Sequence, residues 1–353
     1  MSSEEERLFS EAVAIANIPS LLPMLVQLTG DRRWLEDPYR VTRARGLGDN
    51  DTGGLPDSIQ QEIRDAALEA ILAWRAGRPA ELDDVSPELG VEMLAWVVAE
   101  KVPDEYAPII QVELPAAQSR VPDPVEVPEG FQVLVIGAGV SGMGAAIRLK
   151  QLGIPFTVVE KGTHVGGTWR DNRYPGAGVD TPNHLYSYSF APYDWSMYYC
   201  LRDELEEYLE HVAEKFDLRP SIEFETTVES CEYDTQSREW VVTVRRADGT
   251  EVVKRANAVI SAVGIFNPLV KPDIPGLESF EGPCFHTAEW PDDVEVEGKR
   301  VAIIGNGASA MQTGPAIQHD VEALTIFQRS PHWVAPNEHF GKKIPEPIRF
   351  LLR

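Results

Sequence analysis

Gly137-Ala138-Gly139-Val140-Ser141-Gly142 has the spacing GxGxxG and directly follows the apolar run 131–136. Between a strand and a helix, glycines so spaced can hold a pyrophosphate. The first makes the tight turn, the second lets phosphates approach the backbone, and the third lets helix and strand pack closely. Unpaired N–H groups at the helix start then face the anion. Glu160 closes the next apolar segment, 23 residues after Gly137 (160 − 137). A carboxylate there accepts hydrogen bonds from a ribose 2′-hydroxyl and repels a 2′-phosphate. The first loop is therefore expected to take FAD or NAD and not NADP.

A second loop, Gly305-Asn306-Gly307-Ala308-Ser309-Ala310, repeats the pattern 168 residues later (305 − 137), with alanine in the third glycine's place. Arg329 lies 24 residues after Gly305 (329 − 305), next to Ser330. A guanidinium there can pair bidentately with a phosphate, so the second loop favours NADPH over NADH. One site that refuses a 2′-phosphate and one that wants it suggest a flavin enzyme: NADPH reduces a bound FAD, and the reduced flavin does the chemistry. Gly166-Gly167-Thr168-Trp169, a glycine turn with an aromatic soon after Glu160, fits the flavin site.

The elements that must position these loops can be read from patterning. Residues 131–136 and 155–159 read as strands around a helix at 143–152, a β-α-β unit. A helix is expected over 203–216, strands alternate over 221–263 with a hairpin turn at 247–250, and a second strand–glycine–helix–strand unit occupies 300–328. Before the Pro-rich linker 122–128 the chain reads as helical. Ile59, Ile63, Ala66, Ala67, Ala70 and Trp74 share one helix face, a second helix covers 87–101, and a third region at 3–28 is interrupted by Pro19 and Pro23. The fold class is thus α/β: two Rossmann-like dinucleotide-binding domains, for FAD and NADPH, behind an α-helical N-terminal extension. The expected division is 1–128 helical extension, 129–278 FAD-binding part, and 279–353 linker and start of the NADP-binding part.

Composition narrows the alternatives. The 353 residues hold 32 basic and 56 acidic side chains, a formal net charge of −24. That balance argues against nucleic-acid or anionic-membrane partners, which need a basic surface. No apolar run reaches the length of a bilayer span and no secretory signal opens the chain, so a cytoplasmic location is expected. The three cysteines are too few and too scattered for a disulfide framework, no CxxC is present, and no His, Cys or carboxylate spacing suggests a metal. The helical extension is expected to be a packing module, with a homodimer through it as one outcome.

Between the two loops stands Phe280-Glu281-Gly282-Pro283-Cys284-Phe285-His286-Thr287-Ala288-Glu289-Trp290-Pro291. It resembles the FxGxxxHTxxWP fingerprint of type I Baeyer–Villiger monooxygenases, matching at Phe280, Gly282, His286, Thr287, Trp290 and Pro291. Asn172-Arg173-Tyr174-Pro175-Gly176-Ala177 with Asp180, and Ser261-Ala262-Val263-Gly264 with Pro268 and Pro275-Gly276, are similar to further segments of that family. The resemblance covers about 131–353, and the N-terminal extension is similar to that of the 4-hydroxyacetophenone monooxygenase branch.

The resemblance implies that Gly137, Ala138, Gly139, Val140, Ser141, Gly142, Glu160, Gly167, Thr168 and Trp169 hold FAD, with Tyr186 and Val228 as further contacts. Asn306, Gly307, Ser309, Gln312, Arg329 and Ser330 would hold NADPH. Asp180 would be the catalytic carboxylate, orienting an active-site arginine beyond residue 353. His286 would belong to a mobile interdomain linker rather than transfer protons itself. The reaction implied is reduction of FAD by NADPH, addition of O2 to give a C4a-peroxyflavin, and insertion of one oxygen atom beside a ketone carbonyl, giving an ester or lactone.

Family members continue well beyond their second loop, whereas this sequence ends 48 residues after Gly305 (353 − 305). The expectation is a part of a longer enzyme, with little monooxygenase activity by itself. Two other readings share the loops. One is a flavin monooxygenase oxidising nitrogen or sulfur, whose related fingerprint lacks the Thr-x-x-Trp-Pro ending. The other is a non-catalytic nucleotide-binding or interaction fragment.

Overall fold

Val133–Ile136 is apolar on both faces, as a strand must be when helices or loops cover it on either side. The computed structural model describes residues 2–43, 50–82, 84–113, 121–265 and 269–352; Pro268 and Arg353 lie outside the described residues. The chain divides into two compact units that are discontinuous in sequence. One comprises Met1–Arg120, Pro182–Tyr199 and Val334–Arg353; the other comprises Val121–Thr181 and Cys200–Trp333. The contiguous three-part division drawn from the sequence does not coincide with this one.

The first unit is helical: α1 Ser3–Ile15, α2 Ile18–Thr29, α3 Asp57–Arg75, α4 Pro87–Val98, α5 Ala107–Glu113 and, from the far end of the chain, α10 Glu346–Leu352. Ser2 and Glu5 form a reciprocal capping box that starts α1. The break between α1 and α2 falls at residues 16–17 rather than at the prolines. Asn17 caps α2 by accepting from the Ser20 N–H, Pro19 occupies the first turn, and Pro23 lies inside the helix. A proline in the first turn gives up only an N–H that has no helical partner, so Pro19 starts the helix instead of stopping it. Trp34, Ile18, Leu22, Leu25 and Ile63 form the fully buried centre. Phe350 of α10 meets Phe9 of α1 edge-to-face, ring centroids 5.1 Å apart.

The second unit carries the strands. β1 Val133–Ile136, α6 Val140–Gln151 and β2 Phe156–Val159 form the expected β-α-β unit, and α7 Thr168–Asp171 and α8 Arg202–Lys215 follow. β3 Ile222–Glu223 and β7 Ala258–Ser261 complete a parallel sheet in the order β3-β2-β1-β7. Val135 is in register with Val158 on one side and Ile260 on the other. β4 Thr226–Asp234, β5 Glu239–Arg246 and β6 Glu251–Ala256 make an antiparallel sheet, and Gly249 (φ +82°) lies in the expected hairpin turn. β8 Arg300–Ile304 and β9 Ala323–Phe327 pair in parallel around α9 Ala308–Ile317. α6 begins three residues before the sequence expectation, because the helix starts directly from Gly139 at its N-cap. The result is a mixed α/β fold with parallel sheets.

Candidate functional site

Two sites have the same construction. In the first unit of the β-α-β type the Gly137 N–H donates to the Val159 carbonyl at 2.8 Å; in the second the Gly305 N–H donates to the Phe327 carbonyl at 2.8 Å. The sequence offset is 22 in both (159 − 137 and 327 − 305). Each first glycine sits in left-handed backbone, Gly137 at φ +100° and Gly305 at φ +109°, and each second glycine is the N-cap of the helix that follows.

The first cradle is defined by places where a side chain cannot go. A Cβ on Gly142 would lie 1.8 Å from the Gly137 carbonyl oxygen, and one on Gly137 would lie 2.7 Å from the Ala262 carbonyl oxygen. Gly139 and Gly167 face one another: a Cβ on Gly167 would come within 3.0 Å of the Gly139 Cα. The Gly166 N–H donates to the Ala138 carbonyl at 3.1 Å, tying the two glycine segments together. Bare backbone from both segments therefore borders the start of α6, with Ser141 exposed and Val140 half-buried beside it. This is space and donor geometry that a pyrophosphate can use. Thr168 is exposed, and Trp169 is buried with its carbonyl accepting from Arg202 Nε at 2.7 Å.

Glu160 is 4% exposed at the end of β2. Its Oε2 accepts from the Ala138 N–H and its Oε1 from the Gly162 N–H, each at 2.7 Å. Arg170 Nη1 also donates to Oε1 at 2.7 Å. A buried carboxylate needs such donors, since leaving the charge unpaired would be far more costly. Arg170 is equally buried, and its Nε donates to Asp171 Oδ1 at 2.7 Å. Burial by itself pushes the guanidinium's pKa down; the hydrogen bond to Asp171 and the pairing with Glu160 outweigh this and hold it above its ordinary value. Val228 packs against the small core that includes Val159, the neighbour of Glu160. Sequence reasoning did not find Arg170. Neither periodicity nor a motif marks a side chain that returns to Glu160 from 10 residues away.

In the second cradle Asn306 Nδ2 donates to Gln328 Oε1 at 2.9 Å and to the Ser330 carbonyl at 2.7 Å. Gln328 stands 23 residues after Gly305, the offset of Glu160 from Gly137 (328 − 305 and 160 − 137). Where the first cradle has a carboxylate, the second has a neutral amide followed by the exposed Arg329 and Ser330. An added Cβ at Gly305 or Gly307 meets nothing within 4 Å, so the cradle is open. Ser309 is half-buried in the first turn of α9. Gln312, one turn further on, accepts from the Tyr174 hydroxyl at 2.7 Å and donates to the Gly178 carbonyl at 2.8 Å.

The segment between the cradles is held locally. His286 is the N-cap of the turn Thr287–Glu289, its Nδ1 accepting from the Ala288 N–H at 3.1 Å. Trp290 meets Phe285 edge-to-face at 5.1 Å, Phe280 is exposed, and its ring fills the space a Cβ on Gly282 would need. Pro291 is half-buried. Asp180 is exposed two residues from Gly178, which bridges to Leu201. Tyr186 belongs to the first compact unit, whereas the other cofactor candidates belong to the second. In the first unit Asp51, Glu338 and His339 bring donor atoms within 4.8 Å of one another, at a largely exposed surface. No described helix is long and apolar enough to cross a membrane.

Comparison with known proteins agrees with this geometry. Residues 130–343 match the family model described as flavin-binding monooxygenase-like. An uncharacterized monooxygenase, y4iD, of Sinorhizobium fredii is 48% identical over 98% of this chain and 52% of its own length. A Baeyer–Villiger monooxygenase of Streptomyces coelicolor is 46% identical over 60% of this chain and 40% of its own length. Among solved structures, OTEMO in complex with FAD and NADP superposes with a TM-score of 0.58 at 33% identity, covering 63% of this chain and 43% of that one. Cyclohexanone monooxygenase from Rhodococcus sp. Phi1 bound to NADP+ gives 0.56 at 37%, covering 62% and 42%. The chain thus spans about half the length of the curated relatives it matches. With both cradles and the family match in agreement, the chain belongs to the flavin-binding monooxygenase-like family.

Proposed function

We propose that the protein bearing this chain is an FAD- and NADPH-dependent Baeyer–Villiger monooxygenase, with O2 and a ketone as its substrates. The observation that carries the reading is the pair of cradles of like construction, one with a carboxylate at the ribose position and the other with a neutral amide followed by Arg329, flanking the Phe280–Pro291 segment. The first cradle would hold FAD through Gly137, Gly139, Gly142, Gly167 and Glu160, and its bare backbone fits the group. The second would hold NADPH through the start of α9, Arg329 and Ser330. When bound and reduced by NADPH, FAD would activate O2, so that one oxygen atom is inserted beside the substrate's carbonyl and the other leaves as water.

The chain's own part is to bind, orient and shield. The helix starts at Gly139 and Gly307 would offer their unpaired N–H groups to the phosphates. Glu160 recognises ribose hydroxyls, and Gln328 with Arg329 accepts the 2′-phosphate that a carboxylate would repel. Asp180 is the carboxylate we assign to orienting a catalytic cation, which favours charge build-up in the transition state. His286, engaged by Ala288, acts as a turn cap in the segment between the cradles and not as a proton donor.

Two Rossmann-like domains behind a helical extension, a cytoplasmic location and a homodimer through the N-terminal helices complete the reading. Exposed Trp74, Tyr106 and Ile109 on the helical unit support the last of these. The test is product analysis with the natural polypeptide that carries this sequence, FAD, NADPH, O2 and an aryl or cyclic ketone. Ester or lactone formed with NADPH consumption is the expected result. A sulfoxide from a thioether, with no ester from any ketone, would move the protein to the nitrogen- and sulfur-oxidising class.

A further inference from the structure

Arg170 is 5% exposed and reaches three acceptors. Nη1 donates to Glu160 Oε1 and to the His164 carbonyl, and Nε donates to Asp171 Oδ1, each at 2.7 Å. Space for the guanidinium exists only because residue 162 is glycine: a Cβ there would lie 2.0 Å from Nη1 and 2.1 Å from Cζ. The Gly162 N–H meanwhile donates to the same Oε1. The rest of the α7 segment is fastened in the same manner. Arg202 donates to the Trp169 carbonyl and pairs with Glu206 at 2.6 Å, and Glu206 in turn meets His164 Nε2 at 2.9 Å.

We propose that Arg170 is a positioning residue for ribose recognition: with the notch at Gly162 it fixes one Glu160 oxygen, so that the carboxylate presents the remaining lone pair of its other oxygen, Oε2, to the adenosine ribose of FAD. This rests on the FAD reading above and extends it to a side chain that never touches the cofactor. A free carboxylate rotates about its last torsion, which is broad and two-fold. Oε1, held by Gly162 and Arg170, and Oε2, held by Ala138, leave a single orientation. Arg170 also joins β2 to the Gly166–Trp169 turn through the His164 carbonyl and its own place in α7, so the ribose contact and the pyrophosphate turn are set by the same guanidinium.

The test compares dissociation constants of the apoprotein for FAD and for the FAD analogue lacking the adenosine 2′-hydroxyl, read by quenching of flavin fluorescence. The wild type should prefer FAD by about tenfold to a hundredfold, the value of one hydrogen bond to a charged group. In Arg170→Met the ratio should fall close to one, and Arg170→Lys should restore part of it. Gly162→Ala keeps the arginine but displaces its guanidinium, and should reproduce the Met variant. Should Arg170→Met fail to fold by circular dichroism, the Lys and Gly162 variants carry the comparison. A purely structural role would lower melting temperature while leaving the ratio intact, and that result overturns the proposal. A wild type that binds FAD without regard to the 2′-hydroxyl overturns it as well and leaves the FAD reading standing. A wild type that binds neither flavin removes both.

Discussion

The Tyr174 hydroxyl donates a 2.7 Å hydrogen bond to Gln312 Oε1, across 138 residues of sequence. It joins the segment following the first cradle to the helix of the second. Gly176 makes the approach possible: at φ +79°, a Cβ there would lie 2.6 Å from the Gln312 carbonyl oxygen and 3.0 Å from the Ala316 methyl. Tyr174→Phe should cost about 1 kcal/mol, one net hydrogen bond. Gly176→Ala should cost more, since it meets backbone and an unfavourable φ together. Urea melts of the two variants check the order; equal and negligible losses would show that this joint is not formed in solution.

Gly142 and Gly305 fail for different reasons when replaced by alanine. At Gly142 the added methyl would strike the Gly137 carbonyl at 1.8 Å, so the loop itself must deform and FAD retention should drop by at least about tenfold. At Gly305 no atom lies within 4 Å, and the penalty is the φ of +109°, of order 1 kcal/mol. Flavin retained through gel filtration should therefore be lost in Gly142→Ala and kept in Gly305→Ala.

Gln328 is the positional counterpart of Glu160, and a carboxylate there should impose the first cradle's preference on the second. Gln328→Glu is expected to weaken NADPH more than NADH, and Arg329→Ala to weaken NADPH by about tenfold to a hundredfold with little effect on NADH. Steady-state KM values for the two donors measure this directly. An Arg329→Ala enzyme with an unchanged donor ratio would assign the arginine to solvent.

Thr313 is 1% exposed, and its hydroxyl has no hydrogen-bond partner among the described residues. Thr313→Val keeps the shape and removes an unsatisfied buried group. Stability should hold or rise, by up to about 1 kcal/mol. A clear loss in thermal unfolding would mean that the hydroxyl has a partner, such as a bound water.

Both β-α-β units were legible because each joins a β-branched apolar run to glycines whose spacing has a mechanical reason. The same holds for the hairpin at residues 247–250 and for the helical faces centred on Ile63 and Ala67. Helix starts were read less well. Pro19 looks like a breaker yet begins α2, because position within the helix decides what a proline costs. What stayed hidden are contacts made at a distance in sequence. Gly162 looks like an ordinary loop glycine until the Arg170 guanidinium is found in the space its side chain would fill. Gln312 reads as a nucleotide contact from its motif, and only the fold brings it to Tyr174 and Gly178. The discontinuous first unit, assembled from three stretches of chain, likewise has no local signature.

Two cradles of like build should accept different nucleotides at the same time. Calorimetric titration of the apoprotein with FAD, then of the FAD-loaded protein with NADPH, reads out both events. We expect one FAD per chain, a further single NADPH that leaves the flavin in place, and weaker binding of NADH. Displacement of FAD by NADPH, or one shared site for both, would contradict it.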